Sequence, residues 1–160
     1  MGRSDALAAP GSPSAPRVDG RRIGFVVADF HAEIADAMLH VAKARAAQLG
    51  AVPGPELRVG GSYDLPLAAA RLLRRPDVDA VVAIGAIVQG ETAHDEVIAH
   101  AAATALQTVA LSLDKPVGLA VTGPRMTMDQ AKARIDAGAR AVDAVARLLQ
   151  PDARLDRKPG

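Results

Sequence analysis

At 160 residues and 16.4 kDa the chain has the size of one ordinary domain, long enough to bury a core and too short for two full ones. Hydrophobic residues at 49% and charged residues at 23% exclude disorder throughout, and the three aromatics Phe25, Phe30 and Tyr63 exclude a stacking platform for nucleic-acid bases. The net charge of +1 is uneven: residues 1–22 and 147–160 each carry four basic and two acidic side chains, leaving 11 basic against 14 acidic between them, so the middle offers no basic face to nucleic acid.

Residues 1–20 are rich in Ala, Ser, Gly and Pro, with Pro10, Pro13 and Pro16 scattered through them and neither helical nor strand period; a disordered tail is expected there. Arg22-Ile-Gly-Phe-Val-Val-Ala28 reads as a strand. From Glu33 to Leu49 the apolar positions Ile34, Ala37, Met38, Val41 and Ala44 recur at helix spacing. Glu56 to Gly60 reads as a short second strand, and Pro66 to Arg75 as a helix with proline in its first turn. Asp79-Ala-Val-Val-Ala-Ile-Gly85 is apolar on both faces, as buried parallel strands are. The unbroken apolar run Ala80 to Val88 is half the length of a membrane span, and no membrane partner is expected. A helix at 93–106, a strand at 108–112, a strand at 117–122 and a helix at 128–149 follow. Residues 151–160 form a second tail, leaving 21–150 as the domain. Alternating strands and helices predict an α/β fold: a three-layer α/β/α sandwich, flavodoxin-like, around a short, mainly parallel four-stranded sheet with room for an extra N-terminal or edge strand. Ligand chemistry then belongs at the carboxyl ends of the strands.

Three loops leaving those strands hold unusual residues. In Asp29-Phe30-His31 the Phe30 ring either covers a planar ligand or is ordinary core. In Val59-Gly60-Gly61-Ser62-Tyr63-Asp64-Leu65-Pro66 paired glycines allow close approach of the backbone, and Ser62, Tyr63 and Asp64 offer groups for hydroxyls; a plain turn with Asp64 capping the next helix accounts for the same residues. In Gly85-Ala-Ile-Val-Gln-Gly90-Glu91-Thr92-Ala93-His94 backbone amides at a helix start favour an anion, with the His94 imidazole on the first turn beside it; Thr92 as a simple cap and His94 as a solvated residue is the alternative. Arg134 and Arg140 on the last helix are either phosphate partners or exposed arginines beside Asp136 and Asp143. With no cysteine there is no disulfide framework and a reducing cytoplasm is expected. No His and carboxylate set has metal spacing, so no metal is expected.

Together the three loops resemble lumazine synthases, from Ile23 to Leu149 and most sharply in Gly90-Glu-Thr-Ala-His94 after the buried strand Val81-Val-Ala-Ile-Gly85. Asp114-Lys-Pro-Val117 and Gln130-Ala-Lys-Ala-Arg134 resemble the family pattern as well, and the His94-Asp-Glu96 continuation with Thr122-Gly-Pro124 resembles its archaeal branch more than the common bacterial one. The resemblance implies that Phe30 stacks on a uracil ring, and that Gly61, Ser62, Tyr63, Asp64, Ala86, Ile87, Val88 and Leu119 bind the substrates. It implies that Gly90, Glu91, Thr92, Arg134 and Arg140 bind phosphate, and that His94 transfers protons. The implied reaction is cofactor-free: 5-amino-6-(D-ribitylamino)uracil and 3,4-dihydroxy-2-butanone 4-phosphate condense to 6,7-dimethyl-8-ribityllumazine, a step of riboflavin biosynthesis. The implied assembly is a pentamer, or a decamer or sixty-subunit shell built of pentamers, with sites between neighbours. The chain departs from the family pattern at Gly60 (usually Pro), at Tyr63-Asp64 (usually Phe-Glu) and at Leu119, where many members carry an aromatic that closes a neighbour's site. A lysine expected beyond Arg134 is either Arg140 or lost at Ala139. The rival readings are a non-catalytic lumazine- or flavin-binding or shell-forming homologue, an archaeal-type riboflavin synthase, which lacks the Gly-Glu-Thr-x-His loop, and a monomeric flavodoxin-like regulator.

Overall fold

A computed structural model describes residues 15–90 and 92–151. Four strands, β1 (Arg22–Ala28), β2 (Val52–Val59), β3 (Ala80–Ala86) and β4 (Val117–Thr122), form one parallel sheet in the order β2-β1-β3-β4. The connecting helices are α1 (Ala32–Gln48), α2 (Leu65–Leu73), α3 (His94–Leu113), α4 (Met128–Lys132) and α5 (Ala137–Leu148), with a 3₁₀ turn at Ser62–Asp64 before α2. Central β3 is buried at all seven positions, which its charge-free sequence requires of a strand covered on both faces. Its alternate residues serve two cores: Ala80, Val82, Ile84 and Ala86 pack under α1 and α5, while Val81 and Ala83 pack with Leu65, Ala69, Leu72 and Leu106 under α2 and α3. This is the three-layer, flavodoxin-like α/β architecture. Its strand order reverses between β1 and β3, which opens a crevice at their carboxyl ends.

Several boundaries differ from expectation. The strand expected at 108–112 is the last part of α3. Its Ala-rich flank buries Ala99, Ala102 and Leu106 at helical spacing, and Thr108 donates its hydroxyl hydrogen to the carbonyl of Thr104 one turn back, as a threonine within a helix does. No fifth strand is present among the described residues. The second strand begins at Val52 rather than Glu56 and includes Pro53 and Pro55; as an edge strand it tolerates residues that cannot donate to a ladder. The long last helix is two helices. Thr127 and Gln130 cap α4 reciprocally, a turn follows at 133–136, and α5 restarts so that Gly138 meets the backbone of Met38 in α1.

The N-terminal tail was expected to reach residue 20, but residues 15–20 are packed on the domain. Val18 is buried and its amide donates to the Leu49 carbonyl, so an apolar side chain on the α1–β2 corner draws this stretch in. The rest of that tail, 1–14, and the second tail from 152 onward lie outside the described residues.

Candidate active site

A cavity of about 420 Å³ opens at the carboxyl ends of β1 and β3, at the reversal of strand order. Each wall comes from a separate loop. After β1 the chain is turned sharply by His31, at φ 63°, and Phe30 is left 69% exposed on the rim, its ring edge-to-face with His31 at 4.5 Å. The core reading of Phe30 is thereby overturned. Arg58 steadies this loop by donating to Asp29 (3.0 Å) and Asp36 (2.7 Å), and the bonds to Asp36 and then Asp29 raise its pKa further above the ordinary arginine value.

After β2, Gly61, Ser62 and Tyr63 form the second wall. Tyr63 is 65% exposed, whereas Ser62 is buried. A Cβ on Gly85 would stand 2.6 Å from Ser62 Oγ, so the glycine one residue before the end of β3 makes room for that hydroxyl. After β3, Ala86, Ile87, Val88, Gly90 and Thr92 line the third side, and His94, Asp95 and Ile98 close it from the first turns of α3. Thr92 Oγ1 accepts the His94 amide at 3.3 Å, while the residue at the helix cap position is Ala93. Uncapped amides and the helix dipole together favour negative charge at this spot. The titratable side chains on the cavity, among the described residues, are Tyr63, His94 and Asp95. It is an apolar slot with a flat exposed ring at one end and an anion-favouring loop with an imidazole at the other.

A family model for 6,7-dimethyl-8-ribityllumazine synthase matches residues 20–151. The chain belongs to the lumazine synthase family. It is 45% identical to the 6,7-dimethyl-8-ribityllumazine synthase of Methanocaldococcus jannaschii over 128 residues, 80% of this chain and 91% of that one. It is also 45% identical to the enzyme of that name from Halobacterium salinarum over 129 residues, covering 81% and 97%, and 41% identical to that from Methanococcus aeolicus over 129 residues, covering 81% and 95%. These archaeal relatives agree with the branch suggested by the His94-Asp-Glu96 continuation.

Of the positions that the lumazine synthase pattern singles out, Phe30, Gly61, Ser62, Tyr63, Ala86, Ile87, Val88, Gly90, Thr92 and His94 meet around the one cavity. Four do not. Asp64 holds the cap position of α2 without capping it through its side chain, and faces a separate groove with Arg58, Leu67 and Arg71. Leu119 is 52% exposed on the edge strand β4. Arg134 is exposed in the turn between α4 and α5 and donates to the Gln130 carbonyl, and Arg140 is exposed on α5. Glu91 lies outside the described residues. Asp95 and Ile98 were not anticipated. Ile98 follows His94 by one helical turn and so shares its face, whereas the burial of Asp95 depends on the β4–α4 loop, which no local spacing reveals.

Proposed function

We propose that the protein is a lumazine synthase of riboflavin biosynthesis, joining 5-amino-6-(D-ribitylamino)uracil to 3,4-dihydroxy-2-butanone 4-phosphate to give 6,7-dimethyl-8-ribityllumazine, phosphate and two waters. The observation that carries this reading is the family match over residues 20–151 coinciding with a cavity that joins an exposed Phe30, the buried Ser62 hydroxyl and the Gly90–His94 loop. The pyrimidine stacks on Phe30, the ribityl hydroxyls bond to the Gly61–Tyr63 segment, and the phosphate sits at the Gly90 and Thr92 amides before α3. The amine attacks the ketone and expels water as a Schiff base forms. Phosphate is then eliminated, and attack of the ribitylamino nitrogen closes the second ring with loss of the other water.

Each step moves a proton next to the phosphate, where His94 stands. Fixing both reactants in one slot accounts for roughly 7–11 kcal/mol of the barrier, and acid-base help from His94 adds about 10²- to 10⁴-fold. The protein's own residues suffice for this chemistry, so no cofactor is invoked.

The same reading includes a pentamer or multiple of pentamers. Its support is that no lysine or arginine lines the cavity among the described residues, that Arg125 in the adjoining groove with Gly90 and Thr92 is paired to Glu96, and that Arg134 is exposed elsewhere on the chain. A neighbour's Arg134, with Leu119 of the same edge, completes each site. Apolar side chains left uncovered on α3, Val97 at 62% and Leu111 at 75% exposure, fit subunit contacts. By length and composition α3 is also apolar enough to cross a membrane, but its first turn carries the site residues His94 and Asp95, which favours protein neighbours instead. The lack of cysteine supports a cytoplasmic setting. Mixing the purified protein with the two substrates and following lumazine absorbance tests the reading: a rate well above the uncatalysed condensation is expected, and a rate equal to it from folded oligomer refutes it.

A further inference from the structure

Among the described residues Asp95 is one of four polar or charged residues that the fold buries, at 7% exposure, and it follows His94 directly. Its Oδ2 accepts the backbone amide of Arg125 at 2.8 Å, thirty residues further along the chain. That bond is the innermost of a set. Glu96 Oε1 accepts Arg125 Nε at 2.5 Å, the Gln89 amide donates to the Met126 carbonyl at 2.7 Å, and the Ile87 amide donates to the Thr122 carbonyl at 2.8 Å. The segment bearing His94 is therefore stitched on both sides of the imidazole to one partner, the 122–126 loop after β4. The start of α3 lacks a side-chain cap at Ala93, so the position of its first turn rests on the bonds that Asp95 and Glu96 accept from Arg125, bonds that do not engage the helix's own first amides. Glu96 and Arg125 are on the surface, where an ion pair holds weakly. A buried carboxylate on a backbone amide is the stronger and more precise tie.

We propose that Asp95 is a positioning residue for His94: by binding the Arg125 amide it sets the first turn of α3 against the β4–α4 loop and so aims the imidazole into the cavity. This rests on the reading of His94 as the proton-transfer group. It predicts that losing the tie lowers kcat through His94 and leaves the Phe30 end of the cavity intact.

A double-mutant cycle in the full-length assembled enzyme tests it. Asp95→Ala should lower kcat at least tenfold, with KM for the ribitylaminouracil within twofold of the parent. Asp95→Asn keeps an acceptor oxygen for the Arg125 amide and should stay within threefold in kcat. The double variant His94→Ala/Asp95→Ala should be no slower than His94→Ala alone, within twofold. If Asp95→Ala does not fold, Asp95→Glu, which displaces the acceptor by one methylene, replaces it with the same expectations. An unchanged kcat in the Asp95 variant, a loss that multiplies in the His94→Ala background, or an Asp95→Asn as slow as Asp95→Ala would overturn the assignment. The His94→Ala single variant separates the two ideas: full activity there removes the proton-transfer reading, whatever Asp95 does.

Discussion

Gly138→Ala, in the first turn of α5, is a substitution whose sign local propensity and tertiary packing assign oppositely. On propensity alone, alanine inside a helix gains about 0.5–1 kcal/mol over glycine. In the fold, the new Cβ would lie 2.3 Å from the Met38 carbonyl oxygen, 3.1 Å from its carbon and 3.2 Å from Val41 Cγ2. The closest of these is backbone and cannot rotate away, so α1 and α5 must part by about 1 Å to restore ordinary contact. Overpacking of this kind costs about 1–3 kcal/mol. The same movement lengthens the pair between Arg45 Nε and Asp143 Oδ1, now 2.6 Å apart across these two helices, which adds to the loss. The packing cost exceeds the propensity gain, and a net destabilisation of about 1–3 kcal/mol is expected, with a melting midpoint lowered by several degrees. Guanidinium unfolding followed by circular dichroism is the assay, run at several protein concentrations because subunit association contributes a concentration-dependent share. A variant more stable than the parent by about 0.5–1 kcal/mol, as an unconfined helical glycine would give, refutes the close-approach argument.

Four further outcomes are expected. His94→Ala should slow lumazine formation between about 10²- and 10⁴-fold while leaving it above the uncatalysed rate; steady-state absorbance measurements decide this. Gly85→Ala should displace Ser62 Oγ, 2.6 Å from the added Cβ, and raise KM for the ribityl substrate more than KM for the phosphate substrate, read from separate titrations of each. Arg45→Met, which strands the largely buried Asp143, should cost about 3 kcal/mol of stability, and Arg45→Met/Asp143→Leu should regain most of it in the same unfolding assay. The hydrogen bond from Arg75 lowers the pKa of Asp77. The stability from this pair is therefore present above the unfolded carboxylate pKa of about 3.9 and lost as pH falls through the lower folded value. The difference in midpoint between parent and Asp77→Asn should accordingly shrink on acidification below about pH 4, as thermal melts across pH would show.

Much of this was legible in the chain. The apolar stretches 22–28 and 79–85 become strands because a sheet covered on both faces needs continuous apolar runs, and period identifies such runs locally. The loops carrying Phe30, Gly61–Tyr63 and Gly90–His94 were legible too, since glycine pairs and a helix start announce themselves over a few residues. A strand and a helix tail look alike over five residues, so the stretch 108–112 is ambiguous in sequence, and the bond from the Thr108 hydroxyl to the Thr104 carbonyl marks it as helix. Single-sequence patterning also cannot tell which faces of separate elements meet. Asp64, two residues from Ser62, turns to another groove because the 3₁₀ turn rotates it away, and Asp95 is drawn under a loop thirty residues distant. By itself the sequence determined the alternation of strands and helices as far as the start of α3, the buried strands, the ligand-facing loops and the family, all carried by residues close together in the chain. Only the tertiary structure decided that Phe30 stays exposed on the rim, that Leu119, Arg134 and Arg140 stand apart from the chain's own cavity, and that His94 is steadied from the β4–α4 loop. Those facts depend on how helices pack across a twisted sheet, and packing is a relation between distant segments that local pattern does not encode.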